Sequence, residues 1–505
     1  MPTFNLIKEP WVPCIAMSGK PKEYSLLEMF NKAHELKCIE SDNPLNTASL
    51  YRLSLAILHR AIQGPKTPKE WYNLWKSENF IALKINEYFE RLEVKDRFDL
   101  FSEQAPFYQT AGFKIEKSST PVTKLAAECA SGNNKTLFDH NIDAFPKAFS
   151  PQESARAIIT AQMFSFGGGV GPTSNLGKHP NFANGPLASG ALILLQGNSL
   201  FETLLLNLLV YNRDIPIPSL EYDLPVWERK DMNSFGARTP DGYVDYLTWQ
   251  SRHVRLIPEY ENNNIIVRQI YYAQADIIKP IRDPMFGYRD KGKPIALFTG
   301  KSLWRDSQSL FAFSELEGKS RPICFRQAAK FIDNGWIKPS KGMRCIIYGI
   351  AKDGIKATPL FWRQEFLPIP KGILTNEDLY LRLVSGLNWV EKVGEALKKS
   401  VKRLASVLLT DGMRNANKKE VTRVAKSLGI DDHYWASMQI PFLEFMVRLP
   451  EIDELKDWKK QVVHIADQSL KQKLQDCLGH FSRDLQARVK AIRAFHGEIK
   501  KLNKH

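Results

Sequence analysis

Two rhythms of apolar and polar positions run along this chain, and they change near residue 370. From Asn376 to Thr410 the apolar residues are Leu383, Leu387, Val390, Val393, Leu397, Val401, Leu404 and Leu408. Steps of three and four put them on one stripe of a long helix. Thr375 with Asp378 three residues on reads as its N-capping pair, and Gly412 stands near its stop. Further helical stretches follow at 431–449, 453–477 and 480–502. Beyond Pro370 only Pro441 and Pro450 interrupt the chain. The pattern predicts an antiparallel bundle of about four helices over 371–505.

Residues 1–370 have no single rhythm. Helical patterns at Thr47–Gln63, Pro68–Asn79 and Pro151–Phe164 mix with strand patterns at Ala191–Gln196, His253–Ile257, Ile265–Ile270 and Arg344–Ile350. No regular βαβ alternation and no internal repeat is present. The prediction is an α+β protein, with a large mixed domain over 1–370 followed by the bundle. The boundary falls at Leu367-Pro368-Ile369-Pro370-Lys371-Gly372, where two prolines and a glycine break both helix and ladder.

Composition narrows the class. Of 505 residues 43% are apolar and 25% charged, as in globular proteins. The apolar runs Ala191–Leu195 and Leu204–Val210 fall far short of the ~18 residues of a membrane span. The first residues, Met1-Pro2-Thr3-Phe4-Asn5, lack a basic stretch leading into an apolar one, so no secretory signal is expected. Cys14, Cys38, Cys129, Cys324, Cys345 and Cys477 are scattered with no CxxC, which fits a reducing cytoplasm and argues against structural zinc. The net charge of +15 favours polyanionic partners. Residues 371–505 carry +8 of it, much of it in Arg488, Lys490, Arg493, Lys500, Lys501 and Lys504, which form either a solvated face or a nucleic-acid-facing stripe.

Four segments carry candidate chemistry. Phe164-Ser165-Phe166-Gly167-Gly168-Gly169-Val170-Gly171-Pro172 follows a helical stretch, and its glycines permit close approach by another molecule. Its N–H groups are able to cradle phosphate or lie against a DNA groove, and a tight turn after a helix is the plain alternative. It lacks the Gly-Lys-Ser/Thr of a Walker A loop and the leading strand of a dinucleotide fingerprint. Ser131–His140 is a polar loop with Lys135 and Phe138, suited to stacking on a base and equally to an ordinary surface loop. Phe286–Pro294 puts Arg289, Lys291 and Lys293 around a turn, and Ile347–Ile355 reads as a strand entering a tight hairpin with Asp353-Gly354 at its tip. No GxSxG, HExxH, kinase or EF-hand pattern occurs. Asp139-His140 and the Cys477/His480 pair have no companion ligands with convincing spacing, so neither a metal nor a cofactor is expected.

The opening Asn5-Leu6-Ile7-Lys8-Glu9-Pro10-Trp11-Val12-Pro13 resembles the N-terminus of the CasA family, the large subunit of type I-E CRISPR surveillance complexes (Cascade). Leu137-Phe138-Asp139-His140, Gln162–Gly169, Tyr246–Arg252, Leu303–Asp306 and Leu360–Arg363 are also similar to segments of that family, in the same order. The resemblance implies a non-enzymatic, cytoplasmic protein that reads the protospacer-adjacent motif of double-stranded DNA, largely from the minor groove. It implies help in opening the duplex, and as partners the other Cascade subunits, the guide-RNA 5′ handle, the target DNA and the helicase-nuclease.

By position, Gly167, Gly168 and Gly169 match the loop that meets the motif. Asn133, Asn134, Lys135, Thr136, Leu137 and Phe138 match the segment that contacts the guide RNA. Arg289, Lys291 and Lys293 lie where the family has a groove-contacting lysine, and Lys352, Asp353 and Gly354 lie at its wedge hairpin. The wedge departs from the family's Asn-Gln, and an aspartate there repels phosphate. Either Lys352 or a neighbour takes the wedge role, or the preferred motif differs. Two other functions stay open on the residues alone: a nucleotide-using enzyme with Gly167–Gly171 as its phosphate loop, and a structural adaptor. The motif-reading function requires the triple glycine to be open to solvent.

Overall fold

The computed structural model describes residues 2–80, 85–116, 119–129, 146–178, 181–211, 223–229, 236–313, 318–338, 343–352, 354, 358–410, 416–477, 479 and 481–503. Two compact units divide the chain. The first is Met1–Leu297 with Leu316–Phe366, and the second is Phe298–Glu315 with Leu367–His505.

The first unit opens with β1 (Val12–Ala16), β2 (Pro21–Tyr24) and β3 (Leu36–Ile39), an antiparallel sheet in the order β2–β1–β3. Trp11 is fully buried and donates its indole N–H to the Leu6 carbonyl at 2.9 Å. α1 (Pro44–Ile62) starts where Asn43 Oδ1 accepts the Leu45 N–H at 2.8 Å, and proline occupies the first turn, where its missing N–H costs nothing. It is buried on nearly every face, so it runs through the core of the unit.

α2 (Pro68–Lys76) follows, then α3 (Pro151–Phe164), whose Ser150–Glu153 capping box sets its start. α3 packs on α1, and Thr160 Oγ1 donates to Asn46 Oδ1 at 2.8 Å. β4 (Leu192–Gln196) is buried at every residue, which accounts for its unbroken apolar sequence.

β5 (Arg252–Glu261) and β6 (Asn264–Gln274) form one long antiparallel hairpin. Its tip is Asn262-Asn263 with both φ positive, a turn that suits the twist of the strands. β7 (Arg344–Lys352) pairs antiparallel with β4, placing Cys345 opposite Leu195 and Ile347 opposite Ile193. β8 (Pro359–Pro368) completes the sheet in the order β8–β7–β4.

These strands extend past the predicted ones: 253–257, 265–270 and 344–350 become 252–261, 264–274 and 344–352. Lys352 ends β7 and Pro359 begins β8, and of the predicted Asp-Gly tip between them Asp353, with residues 355–357, lies outside the described residues.

The second unit contains α4 (Glu377–Thr410), α5 (Lys418–Ser427), α6 (Ile430–Arg448), α7 (Glu454–Cys477) and α8 (Ser482–Leu502). The predicted stripe on α4 is buried as far as Leu404, with Leu383, Val393, Leu397 and Leu404 at 0% exposure, and its last member, Leu408, is half-buried. Three expectations are corrected. Asn376, not Thr375, caps α4: its Oδ1 accepts from the Asp378 and Leu379 N–H groups at 2.9 and 3.3 Å. Residues 371–505 carry five helices among the described residues rather than about four. The extra one, α5, has no fully buried residue, so its apolar pattern is too sparse to read. Residues 298–315, assigned by sequence to the first domain, belong to the second unit, because Trp304 stacks on Phe442 at 4.4 Å and enters the helical core.

Candidate nucleic-acid interface

α3 ends at Phe164 and the chain turns outward through the three glycines. Gly167 is half-buried, Gly168 and Gly169 are exposed, and Val170 beyond them is 71% exposed. The loop is therefore open to solvent. The three glycines do different things. A Cβ on Gly167 would stand 2.7 Å from the Phe182 carbonyl oxygen and 3.0 Å from Ala183 and Asn184 backbone atoms. Gly168 and Gly169 have φ of +134° and +74°, a region side chains rarely adopt. The Gly168 N–H donates to the Phe182 carbonyl at 2.9 Å, and the Gly167 N–H donates to Asn184 Oδ1 at 2.6 Å. The loop is thus tied along the segment at 182–184.

A buried arginine holds that tie. Arg252, at 0% exposure, gives its Nε–H to the Tyr272 hydroxyl at 2.9 Å. Its Nη1 donates to the Ser251 carbonyl and to Gln274 Oε1. Its Nη2 donates to the Phe166 carbonyl at 3.1 Å and the Ala183 carbonyl at 2.7 Å, one on each side of the loop. Five acceptors serve the five guanidinium donors. Gln162 pairs both ways with the Arg252 backbone, its Oε1 accepting at 2.8 Å and its Nε2 donating at 2.9 Å. Two of the segments that carry the family resemblance, Gln162–Gly169 and Tyr246–Arg252, therefore meet here.

Beside the loop lies a cavity of about 400 Å³ lined by Thr123, Lys124, Phe164, Ser165, Phe166, Gly168, Gly169, Phe182, Tyr272, Ile350 and Pro359, among others. Ile350 and Pro359 sit on β7 and β8, so the base of the predicted wedge hairpin shares this cavity with the glycine loop. Lys352 is exposed at the end of β7, and Gly354 has φ +51°. Arg289, Lys291 and Lys293 do not line the cavity. Arg289 and Lys293 lie on the short antiparallel pair Tyr288–Arg289 with Lys293–Pro294, and Lys291 lies in the turn that joins them. Lys291 and Lys293 are exposed, whereas Arg289 is half-buried and donates to the Pro294 carbonyl at 3.3 Å. Asn133, Asn134, Lys135, Thr136, Leu137 and Phe138 lie outside the described residues, as do Asp139, His140 and His480.

Sequence reading did not single out Arg252, Phe182 or Tyr272. Arg252 stood in a recognised segment, which was its only signal. Phe182 and Tyr272 are brought in by the segment at 182–184, which bridges to Gly168, and by β6, and nothing local marks them. The loop also follows the C-terminal end of α3, where the helix dipole places partial negative charge, whereas a phosphate loop precedes a helix N-terminus.

Several solved structures that share this architecture over nearly the whole chain are CRISPR-associated proteins. The structure of Thermus thermophilus CasA (Cse1) matches with a TM-score of 0.81 and 29% identity, over 99% of this chain and 100% of that one. A chain of a CRISPR RNA-guided surveillance complex, 19% identical, shares the fold with a TM-score of 0.77 over 98% of this chain and 100% of its own. The family model of CRISPR-associated protein Cse1 matches residues 5–469, and the chain belongs to that family. A CRISPR-associated protein CasA/Cse1 from Thermus thermophilus is 32% identical over 484 residues, 90% of this chain and 89% of the relative.

Proposed function

We propose that this chain is the non-catalytic large subunit of a type I-E CRISPR surveillance complex. In this reading it recognises the protospacer-adjacent motif in duplex DNA, aids opening of the duplex and recruits the helicase-nuclease. The observation that carries the reading is the exposed main chain of Gly168 and Gly169, held outward on the rigid end of α3. A surface without side chains fits a narrow minor groove, and the degenerate pattern of that groove suits tolerant reading of a short motif. Guide pairing then tests the rest of the target.

Gly167 serves by packing the loop, while Gly168 and Gly169 make the approach. Exposed Lys291 and Lys293 contribute phosphate contacts. Arg289, already donating within its own turn, contributes less. Lys352, Asp353 and Gly354 form the wedge, with Lys352 as its cation. Asn133 to Phe138 meet the guide-RNA 5′ handle. The position of the loop after a helix C-terminus speaks against the nucleotide-using enzyme.

Gly168→Asp puts a carboxylate where the groove floor would lie. It is expected to abolish motif-dependent duplex binding by the reconstituted complex while assembly with guide RNA persists. Motif-dependent binding that survives this change removes the glycine-loop assignment. Equal target binding by a complex lacking the chain leaves only the adaptor.

A further inference from the structure

We infer that the cavity beside the glycine loop is a receptor for a single unstacked nucleobase, an inference that rests on the DNA-reading role of that loop. Its volume of about 400 Å³ lies at the small end of ordinary ligand sites. Buried Ala161, Phe164, Leu125 and Ile350 make an apolar floor. Phe166 and Phe182, both half-buried, and Tyr272 add aromatic surface. Lys124, half-buried, is the cation among the lining residues, and Thr123 and Ser165 add hydroxyls.

Phe182 and Tyr272 face each other at 5.7 Å with planes 34° apart, so no base fits between them, and a guest stacks on an outer face. Arg252 lies 5.2 Å from the Phe182 ring centre and 2.9 Å from the Tyr272 hydroxyl, which holds both rings in place before any guest arrives. Stacking on such rings tolerates every base, because each has a π-face. The exposed edge of the cavity is Gly168-Gly169, the main chain proposed to lie in the groove, so a base leaving a duplex there has a short path inward. The same chemistry suits a base of the target DNA or one of the guide RNA.

The test uses the reconstituted complex with 2-aminopurine, whose fluorescence rises on unstacking. One arm scans the probe through the duplex at and beside the motif, and the other scans the 5′ segment of the guide RNA without DNA. A rise at one position, lost in Ala161→Phe, which fills the floor from α3, supports the inference, and the responding arm names the source. Phe182→Ala serves as the second variant should Ala161→Phe misfold. It is expected to weaken retention of that nucleic acid roughly 5- to 150-fold, the range of one lost base–aromatic stack.

No rise in either arm overturns the inference, as does a rise unchanged in both variants. Silence in both arms with loss of subunit assembly in Ala161→Phe also overturns it, in favour of a protein side chain as occupant. Gly168→Asp separates the two readings: motif-dependent binding that survives it defeats the loop assignment, whereas a cavity failure leaves that binding within about threefold of the parent, below the range of a lost stack.

Discussion

Gly167 and Gly169 are two positions apart, yet a methyl group added to each meets different surroundings. At Gly167 it meets backbone atoms at 2.7–3.0 Å that belong to the tied segment 182–184. At Gly169 it meets nothing within 4 Å, and only the positive φ penalises it, by roughly 1–2 kcal/mol. Gly167→Ala is therefore expected to lower the melting temperature more than Gly169→Ala, and to disturb the loop itself. Equal losses in thermal melts would refute the packing role given to Gly167.

His59 offers a second residue-level test. It is fully buried in α1, its Nδ1 lies 3.0 Å from the Gly64 carbonyl, and burial holds its pKa down at about 3 against an ordinary 6.5. Its neutral form belongs to the folded state, so its stabilising effect is complete above pH 6.5 and falls as pH drops from 6.5 towards 3. The loss approaches ~1.4 kcal/mol per pH unit. Urea unfolding at pH 7.5 and 5 is expected to show a smaller acid loss in His59→Gln than in the parent.

At the scale of elements, α4 is the organiser of the second unit, and its glycines are contact points. A Cβ on Gly386 would stand 2.8 Å from the Phe445 ring, which is itself stacked on Trp458 at 4.7 Å. Gly497 on α8 is exposed and has nothing within 4 Å. Helix propensity favours alanine at both sites by up to ~1 kcal/mol. Overpacking reverses the sign at Gly386, with a cost of ~1–3 kcal/mol. Gly497→Ala is expected to raise the denaturation midpoint and Gly386→Ala to lower it, and a rise in both removes the packing claim.

The same elements show what a linear pattern conveys. α4 was legible from its long apolar stripe, and α1 and α3 from unbroken runs of helix-compatible apolar residues, all of which act locally. α5 was not, because it depends on contact with α4 for the little apolar surface it covers. The cap of α4 moved by one residue because Asn376 and Thr375 are both competent acceptors, and the backbone path decides between them.

For the whole molecule, a net charge of +15 and the groove-reading role proposed for the glycine loop predict duplex binding that weakens steeply with salt. Lys291→Ala and Lys293→Ala should each reduce the slope of log K against log salt by about 0.9 if each lysine meets one phosphate. Unchanged slopes in filter binding would place the phosphate contacts elsewhere.

Periodicity, proline punctuation and the triple glycine were enough to establish an α+β protein ending in a helical unit, and to mark the loop at 167–169. These features act over a few residues, where the chain's own geometry governs. Contacts between distant positions settled the rest. Trp304 pulls residues 298–315 into the helical unit, Arg252 clasps both sides of the loop, and β7 and β8 bring Ile350 and Pro359 to the cavity beside it. Such contacts depend on which buried donors and rings find partners across gaps of many residues. Only the folded chain resolves that competition.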